Sequence, residues 1–165
     1  MFEKIIVIGC PGAGKSVFAR RLHEITGLPL YHLDNIFWKS DKTNIEREKF
    51  DEELNKILSK EKWIIDGNYQ RTLEMRLSAC DTAFLLDYPH AVCMAGVYER
   101  IGTERPDLPW VEDEIDEEFR QFVIDFPEKN MPLIYEALDK HKDKNVIIFK
   151  SREESETYLE KLSDK

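Results

Sequence analysis

Short apolar runs alternate along the chain with longer stretches in which apolar positions recur every three or four residues. The short runs, at 3–8, 30–33, 63–65, 83–86 and 146–149, predict buried strands, and the first of them holds the β-branched residues Ile5-Ile6-Val7-Ile8. The longer stretches predict amphipathic helices. Strands that alternate with helices predict a five-stranded parallel sheet with helices on both faces. We therefore expect a three-layer αβα fold, in a single domain over 1–165.

Cap and breaker residues set the limits of two predicted helices. Thr43 and Glu46 have the spacing of a capping box, which predicts a helix that ends near residue 60. The apolar spacing from 111 to 126 predicts one helix, and Pro127 is expected to break or kink it. The acids at 112–118 then form either a solvated helix face or a metal cluster, and the helical pattern favours the solvated face.

A glycine-rich segment between the first predicted strand and helix carries the clearest chemical signal. It reads Gly9-Cys10-Pro11-Gly12-Ala13-Gly14-Lys15-Ser16, followed by Val17, and matches G-x-x-x-x-G-K-[ST]. Backbone N–H groups of such a loop and the helix start form an anion site. Lys15 is expected to reach the β- and γ-phosphates, and the Ser16 hydroxyl to hold Mg²⁺. The alternative is a glycine-rich turn with an incidental Lys-Ser pair.

Aspartates follow three of the predicted strands. In a parallel sheet Asp34, Asp66 and Asp87 then lie at one edge with the glycine-rich segment, where such sheets bind ligands. Asp66 is expected to order the Mg²⁺ hydration shell, or else to cap the next turn. Asp34 either accepts a proton from an acceptor hydroxyl, or binds a sugar or base edge, or caps an Asp-Asn turn.

Arginines flank a polar segment that contains two prolines, 103–110, and that segment predicts a loop. Arg100 and Arg105 are placed as cations on a closing lid would be, while Arg71 follows the third strand and Arg120 lies on the acidic helix. Phosphoryl transfer depends on charge neutralisation, so together they favour phosphate contacts. The alternative for each is a solvated side chain or a helix ion pair.

Tryptophans and one histidine add weaker signals. Trp38 and Trp110 lie in irregular segments and are candidates to stack on a base, whereas Trp63 begins a strand and is expected in the core. His32 alternates with apolar neighbours, which predicts a hydrogen-bonded core histidine.

The composition limits the classes of binding partner and the cellular compartment that we expect for this chain. The net charge is −9 and no basic patch is evident, so direct nucleic-acid binding is disfavoured. No apolar run approaches the ~20 residues of a membrane span, and the first residues lack a signal-peptide pattern. The three cysteines form no C-x-x-C pair and no metal spacing with the histidines, which favours a reducing cytoplasm. Cys10 is expected to be a packed residue rather than an oxidation-sensitive one.

Several sequence blocks resemble the adenylate-kinase-related group of P-loop kinases, and in particular bacterial DNA topology modulation proteins. Besides the glycine-rich segment, these blocks are W-I-I-D-G-N-Y-Q-R-T at 63–72, L-L-D-Y-P at 85–89, Y-E-R-I at 98–101 and F-P-E-K-N-M-P-L-I at 126–134. The resemblance implies a nucleoside-monophosphate-kinase-like P-loop NTPase fold. It also implies that Arg71 contacts an acceptor phosphate, that Arg100 stacks on the ATP adenine, and that Arg105 and Arg120 clamp the transferred group.

Two segments are shorter than in nucleoside monophosphate kinases. The acceptor-binding segment, about 34–60, has room for one good helix, and the lid region, about 102–120, is also short. Both features resemble kinases of small metabolites such as shikimate or gluconate.

We therefore predict an ATP- and Mg²⁺-dependent phosphotransferase that acts on a nucleotide or a small hydroxyl metabolite. Lys15 and the three lid arginines are the expected catalytic cations, and Asp34, Trp38 and Arg71 are expected to contact the acceptor. Two alternatives remain open. One is a nucleotide-binding regulator of DNA topology with little kinase activity, and the other is a plain ATPase.

Overall fold

Five parallel strands form the centre of the fold in the computed structural model, which describes residues 2–165. The strands are β1 Lys4–Gly9, β2 Leu30–His32, β3 Trp63–Asp66, β4 Thr82–Leu86 and β5 Asn145–Phe149. Their order in the sheet is β2-β3-β1-β4-β5. The predicted five-stranded parallel sheet is confirmed.

Helices cover this sheet. They are α1 Lys15–Thr26, α2 Leu33–Phe37, α3 Arg47–Leu58, α4 Gln70–Ala79, α5 His90–Glu99, α6 Glu117–Lys129, α7 Met131–Asp139 and α8 Arg152–Ser163. Helix α1 packs on β1, β2 and β3 and against α8, whereas α4 packs on β1 and against α7. The three-layer α/β architecture is therefore confirmed.

The central position of β1 explains its sequence. It pairs with β3 on one side and β4 on the other, and residues 5–8 have no exposed surface. A strand buried on both faces reads as a continuous apolar run rather than as an alternating one. Trp63 at the start of β3 is also fully buried, as predicted for a core residue.

Helix α3 begins later than the capping box predicts. Thr43 donates from both its N–H and its hydroxyl to the Asp41 carboxylate, and Trp38 and Asn44 form an isolated antiparallel bridge. These local contacts hold residues 38–44 in a turn, since a carboxylate two residues away competes with helix formation. The helix therefore starts at Arg47, and the capping-box prediction is wrong.

Helix α6 also begins later than predicted, because residues 111–116 belong to an irregular segment, the 100–116 loop. The N–H of Gly102 donates to the carbonyl of Glu112 at 2.6 Å, which ties the two arms of this loop together. The Asp116 carboxylate accepts from the N–H of Phe119 at 3.3 Å and caps the helix there. Pro127 lies inside α6, which continues to Lys129.

Cys10, Cys80 and Cys93 are buried free thiols. Within residues 2–165, no helix is both long and apolar enough to cross a membrane. The same part of the chain holds no cluster of three or more His, Cys, Asp or Glu side chains that could bind a metal ion, so the acids at 112–118 are not brought together as one.

Candidate active site

The glycine-rich segment at residues 9–16 lies directly on α5, and we call it the phosphate loop after the sequence motif that it matches. A Cβ atom added to Gly12 would meet the Cys93 carbonyl oxygen at 2.0 Å, and one added to Gly96 would meet the Gly12 carbonyl oxygen at 2.0 Å. The two backbones therefore touch with no room for a side chain on either. This contact fixes the height of the loop above the helix.

Asn68 holds the first residue of the phosphate loop. Its side-chain amide donates to the Gly9 carbonyl at 2.6 Å, and its Oδ1 accepts from the Gly9 N–H at 3.0 Å. The fully buried Arg76 guanidinium in turn donates to the carbonyls of Gly67, Asn68 and Tyr69. Arg76 thus stabilises the β3–α4 turn through charge-assisted hydrogen bonds. The turn itself fixes the phosphate loop through the two hydrogen bonds of Asn68.

Lys15 lies at the start of α1 and folds back over the loop. Its Nζ donates to the Cys10 carbonyl at 3.2 Å. Burial lowers the pKa of Lys15, while the nearby Asp66 carboxylate acts in the opposite direction. The Ser16 hydroxyl accepts from Arg20 Nη1 at 3.2 Å. The cation and the hydroxyl of the motif therefore sit at one helix start.

Asp66 is held by a histidine on the neighbouring strand. His32 and Asp66 are register partners in β2 and β3, and His32 Nδ1 lies 2.7 Å from Asp66 Oδ2. His32 has its predicted hydrogen bond, but its partner is this carboxylate. The contact orients the group that was predicted to order the Mg²⁺ hydration shell.

Asp34 lies in the first turn of α2, two residues beyond the end of β2. The Tyr69 hydroxyl donates to its Oδ1 at 2.5 Å. Burial raises the pKa of Asp34, and the Asp66 and Asp107 charges act in the same direction against the Tyr69 hydrogen bond. Tyr69 itself has a left-handed backbone with φ 36°, a costly conformation that tends to persist at functional sites.

Two arginines of the 100–116 loop face two acids. Arg105 makes two hydrogen bonds to Asp107, at 2.8 and 3.1 Å, and one to Glu112 at 2.9 Å. Arg100 Nε lies 3.5 Å from the same Glu112, and its guanidinium lies 5.3 Å from the Phe119 ring centroid. Burial lowers the pKa of Arg100, and the adjacent positive charge of Arg105 lowers it further.

The 100–116 loop rests on the segment that carries Asp34. The Asn35 amide donates to the Pro106 carbonyl at 2.6 Å, and the rings of Trp38 and Trp110 meet edge to face at 5.4 Å. The two predicted base-stacking tryptophans thus contact each other in this structure.

A cleft of about 620 Å³ joins these elements at the carboxyl edge of the sheet. From the predicted site it is lined by Pro11, Gly12, Gly14, Lys15, Ser16, Val17, Asp34, Asp66, Arg100 and Arg105. Residues that were not predicted as site residues also line it, among them Arg20, Asn68, Tyr69, Phe119, Phe122 and Arg152. Cys10 and Ala13 are buried in the loop itself.

Other predicted residues lie away from the cleft lining. Arg71 makes a bidentate pair with Asp51 at 2.7 and 3.1 Å. Arg120 lies on the surface and donates to Glu117, which is the helix ion pair that the sequence analysis gave as the alternative. It also donates to the Tyr98 hydroxyl. Among the predicted strand-end aspartates, Asp87 accepts from Tyr135 and Lys150 at 2.6 Å each.

The sequence contains a signal that could have identified Arg152 as a residue of the candidate site. It begins α8 just beyond β5, so the rule that gathers strand ends at one edge applies to it as it does to Asp34. Its Nη1 lies 3.3 Å from where a Cβ of Gly14 would be, and its guanidinium lies 5.8 Å from the Tyr88 ring centroid. It therefore flanks the phosphate loop.

No family profile matches the chain. Adenylate kinases from Thermotoga petrophila and Thermotoga maritima are each 33% identical to it over 98 residues. The match covers 58% of this chain and 44% of each relative, so the chain spans less than half the length of the curated relatives it matches.

Solved kinase structures share the whole architecture. Shikimate kinase from Acinetobacter baumannii, in complex with shikimate, has a TM-score of 0.60 at 18% identity and covers 98% of this chain and 91% of its own. Shikimate kinase from Bacteroides thetaiotaomicron has a TM-score of 0.61 at 16% identity, with 99% and 98% covered. A gluconokinase from Sinorhizobium meliloti has a TM-score of 0.52 at 14% identity, with 98% and 94% covered. The chain therefore has the fold of the shikimate-kinase-like P-loop NTPases.

Proposed function

We propose that this protein is an ATP- and Mg²⁺-dependent phosphotransferase that acts on a nucleotide or a small hydroxyl metabolite. One observation carries the proposal. A single cleft holds the phosphate-loop lysine, one carboxylate at a strand end and one just beyond another, and two arginines of the 100–116 loop. The sequence relatives are adenylate kinases, and the fold neighbours include shikimate kinases and a gluconokinase, which supports the same reaction class.

The phosphate loop would bind the triphosphate of ATP. Its backbone, held by Gly96 below and Asn68 beside it, would present N–H groups and the start of α1 to an anion. Lys15 adds the positive charge at the phosphate end of the cleft, and Arg152 lies beside Gly14. The fit of the loop to a phosphate chain is therefore set by backbone packing and not by flexible side chains alone.

The donor set beside the loop fits a magnesium ion. The Ser16 hydroxyl and the Asp66 carboxylate both line the cleft, and hard oxygen donors are those that Mg²⁺ prefers. When bound, the ion would neutralise charge on the phosphates. His32 would keep the Asp66 carboxylate in one orientation through its 2.7 Å contact.

Asp34 would orient the acceptor hydroxyl and take its proton. Its carboxylate lines the cleft, and the Tyr69 hydroxyl holds one of its oxygens. Arg100 and Arg105 would face the transferred phosphoryl group, since the loop that carries them rests on the Asp34 segment. The reaction would proceed by in-line transfer, in which positioning and charge stabilisation supply the catalysis. In this conformation Arg71, Arg120 and Trp38 contribute nothing to the cleft lining.

The test is ATP consumption with Mg²⁺ across a panel of nucleoside monophosphates, nucleosides, sugars and ring acids. We expect at least one acceptor to raise turnover about 100-fold over the background, which corresponds to about 2.7 kcal/mol of barrier. Lys15→Ala should lose this stimulation. If every acceptor leaves the wild type at the Lys15→Ala level while ATP still binds, the proposal fails and a nucleotide-binding regulator becomes the better hypothesis.

A further inference from the structure

One stripe of side chains runs along α6 and continues into α7. Its members recur every three or four residues, and all of them line the cleft: Phe119, Phe122, Phe126, Asn130 and Ile134. This spacing places side chains on one face of a helix. We call these five residues the α6–α7 stripe.

The α6–α7 stripe is mostly apolar, and part of it is open to solvent. The Phe122 ring is 40% exposed, and its centroid lies 6.3 Å from that of Phe119 and 5.6 Å from that of Phe126. Phe126 and Ile134 are almost fully buried, so the open apolar surface belongs to the two phenylalanines at the start of the stripe. Aromatic rings pair by offset stacking or edge to face. The cleft therefore has a surface that can bind a flat ring.

Asn130 is the polar member of the stripe. It lies where α6 ends and α7 begins, a position from which an asparagine often caps a helix. Here its side chain makes no capping hydrogen bond, and the residue is half-buried at the cleft. A side-chain amide both donates and accepts, so it can bind neighbouring donor and acceptor atoms on the edge of a base.

The stripe borders the acceptor side of the cleft. Lys15 and Arg152, two cations beside the phosphate loop, belong to α1 and α8, which pack against each other. Helix α7 packs instead against α4, whose first residue, Gln70, also lines the cleft. The preceding residue, Tyr69, donates to Asp34. The α4 and α7 side thus adjoins the carboxylate assigned to the acceptor, whereas α1 and α8 adjoin the triphosphate.

We infer that the acceptor carries a nucleobase-like ring, flat and aromatic with donor and acceptor atoms on its edge, and that the α6–α7 stripe binds this ring. The inference rests on the proposed function and narrows its substrate class. Phe122 would stack on the ring and Asn130 would bind its edge, while Asp34 faces the reacting group. The charge of the acceptor is set elsewhere, because the buried Nε of Arg100 has no hydrogen-bond partner within residues 2–165 and can meet an anion.

The first experiment compares acceptors that share a reacting group and differ in the ring. Adenosine is paired with methyl riboside, and adenosine monophosphate with ribose 5-phosphate. We expect kcat/KM to be at least 10-fold higher for the base-bearing member of whichever pair is phosphorylated. Similar values within a pair, or activity confined to compounds without an aromatic ring, overturn the inference and leave the proposed function intact. If no compound raises ATP turnover above the Lys15→Ala level, the proposed function fails and the inference falls with it.

Phe122→Ala tests the stacking contact. It should raise the KM of the base-bearing acceptor at least 10-fold and leave the Kd of a non-hydrolysable ATP analogue, measured alone, unchanged. Weaker binding of the ATP analogue would instead place the base of ATP on the stripe and overturn the inference. The matched control is Leu133→Ala, which removes an exposed apolar side chain of α7 that is not among the cleft-lining residues described. It should keep both constants.

Asn130→Ala tests the contact with the ring edge. Across purine and pyrimidine nucleosides, the wild type should prefer one base at least 10-fold, and the variant should lose most of this preference. Its Tm should stay close to that of the wild type, because the side chain makes no capping hydrogen bond that the substitution would remove. A wild type that does not discriminate among bases, or a variant that discriminates equally well, would contradict the inference.

Discussion

Asp34 combines a functional position with an energetic cost. Its carboxylate is held in the cleft near Asp66 and Asp107, and burial together with these charges raises its pKa. In the unfolded chain the same group ionises freely near its usual value of 3.8. The ionised form is therefore penalised only in the folded protein, and this penalty lowers the free energy of unfolding as pH rises through the raised pKa.

Asp34→Asn is expected to be inactive yet more stable than the wild type at neutral pH. The amide oxygen can still accept from the Tyr69 hydroxyl, while the buried charge is gone. Each kcal/mol so regained corresponds to a rise in Tm of about 2–4 °C for a chain of this size. Thermal unfolding without nucleotide measures it.

The pH dependence supplies the control for this prediction. The gain should shrink as pH falls through the raised pKa, because the wild-type carboxyl group then becomes neutral as well. The activity of the wild type should fall over the same acidic range, with its midpoint above the usual aspartate value. A Tm difference that does not change with pH would contradict the assignment to Asp34 ionisation.

The residues that the sequence failed to indicate are polar ones that act from below or beside the cleft. Asn68 and Arg76 are of types that are mostly exposed, so nothing in their spacing marks one as a clamp and the other as fully buried. Their roles come from hydrogen bonds to backbone groups that lie 7 to 59 residues away along the chain. Lys15, Ser16 and Asp66, by contrast, follow from a motif and a strand end.

At the level of elements, α5 is the support of the phosphate loop. The Gly12 and Gly96 backbones meet without intervening side chains, so the position of the loop depends on that helix. A methyl group added at either position must displace backbone, since backbone carbonyls and not flexible side-chain ends lie in its way.

Gly96→Ala is expected to weaken ATP binding by at least 10-fold, about 1.4 kcal/mol, because its Cβ would displace Gly12 and the loop with it. Alanine is otherwise the better helix former by about 1 kcal/mol, so general destabilisation of α5 would not explain the loss. Calorimetric titration with an ATP analogue measures the affinity.

Gly27→Ala is the matched control. An added Cβ at Gly27 meets no heavy atom within 4 Å, although the left-handed backbone, with φ 72°, makes alanine cost about 1–2 kcal/mol of stability. It should lose stability and keep its affinity for ATP. Equal affinities of Gly96→Ala and the wild type would show that the loop does not depend on this contact.

The sequence predicted the type of each secondary-structure element better than the residue at which it begins. Apolar patterning placed all five strands, but the capping-box spacing placed the start of α3, and the apolar spacing that of α6, several residues too early. In both cases side chains compete with the helix: Asp41 binds Thr43, and Glu112 binds the arginines of its own loop. Such tertiary and turn contacts are not visible in the spacing of apolar residues.

At the level of the whole molecule, the parallel sheet brings the residues of the candidate site together. The phosphate loop and the residues beyond β2, β3 and β5 are distant in sequence, and the common strand direction alone brings them to one edge. This gathering was predictable from alternating strands and helices. The contact of the 100–116 loop with the Asp34 segment was not, because it joins two irregular segments through single side chains.

Ligand binding at this edge should stabilise the whole fold. A Mg²⁺-bound non-hydrolysable ATP analogue at 100 times its Kd adds about 2.7 kcal/mol, which raises Tm by roughly 5–11 °C. A thermal shift series over ligand concentration measures the effect. Lys15→Ala should shift far less at the same concentration, and an equal shift in both proteins would place the nucleotide elsewhere.

The contact between Gly12 and Gly96 also has an evolutionary consequence. Position 12 is one of the four that the phosphate-loop motif leaves free, so the motif alone would allow a side chain there. In this chain the facing helix forbids it, and the two glycines can be replaced only if the helix and the loop separate. Among relatives, we expect the two positions to covary: where one carries a side chain, the other should change too or the helix should lie farther from the loop.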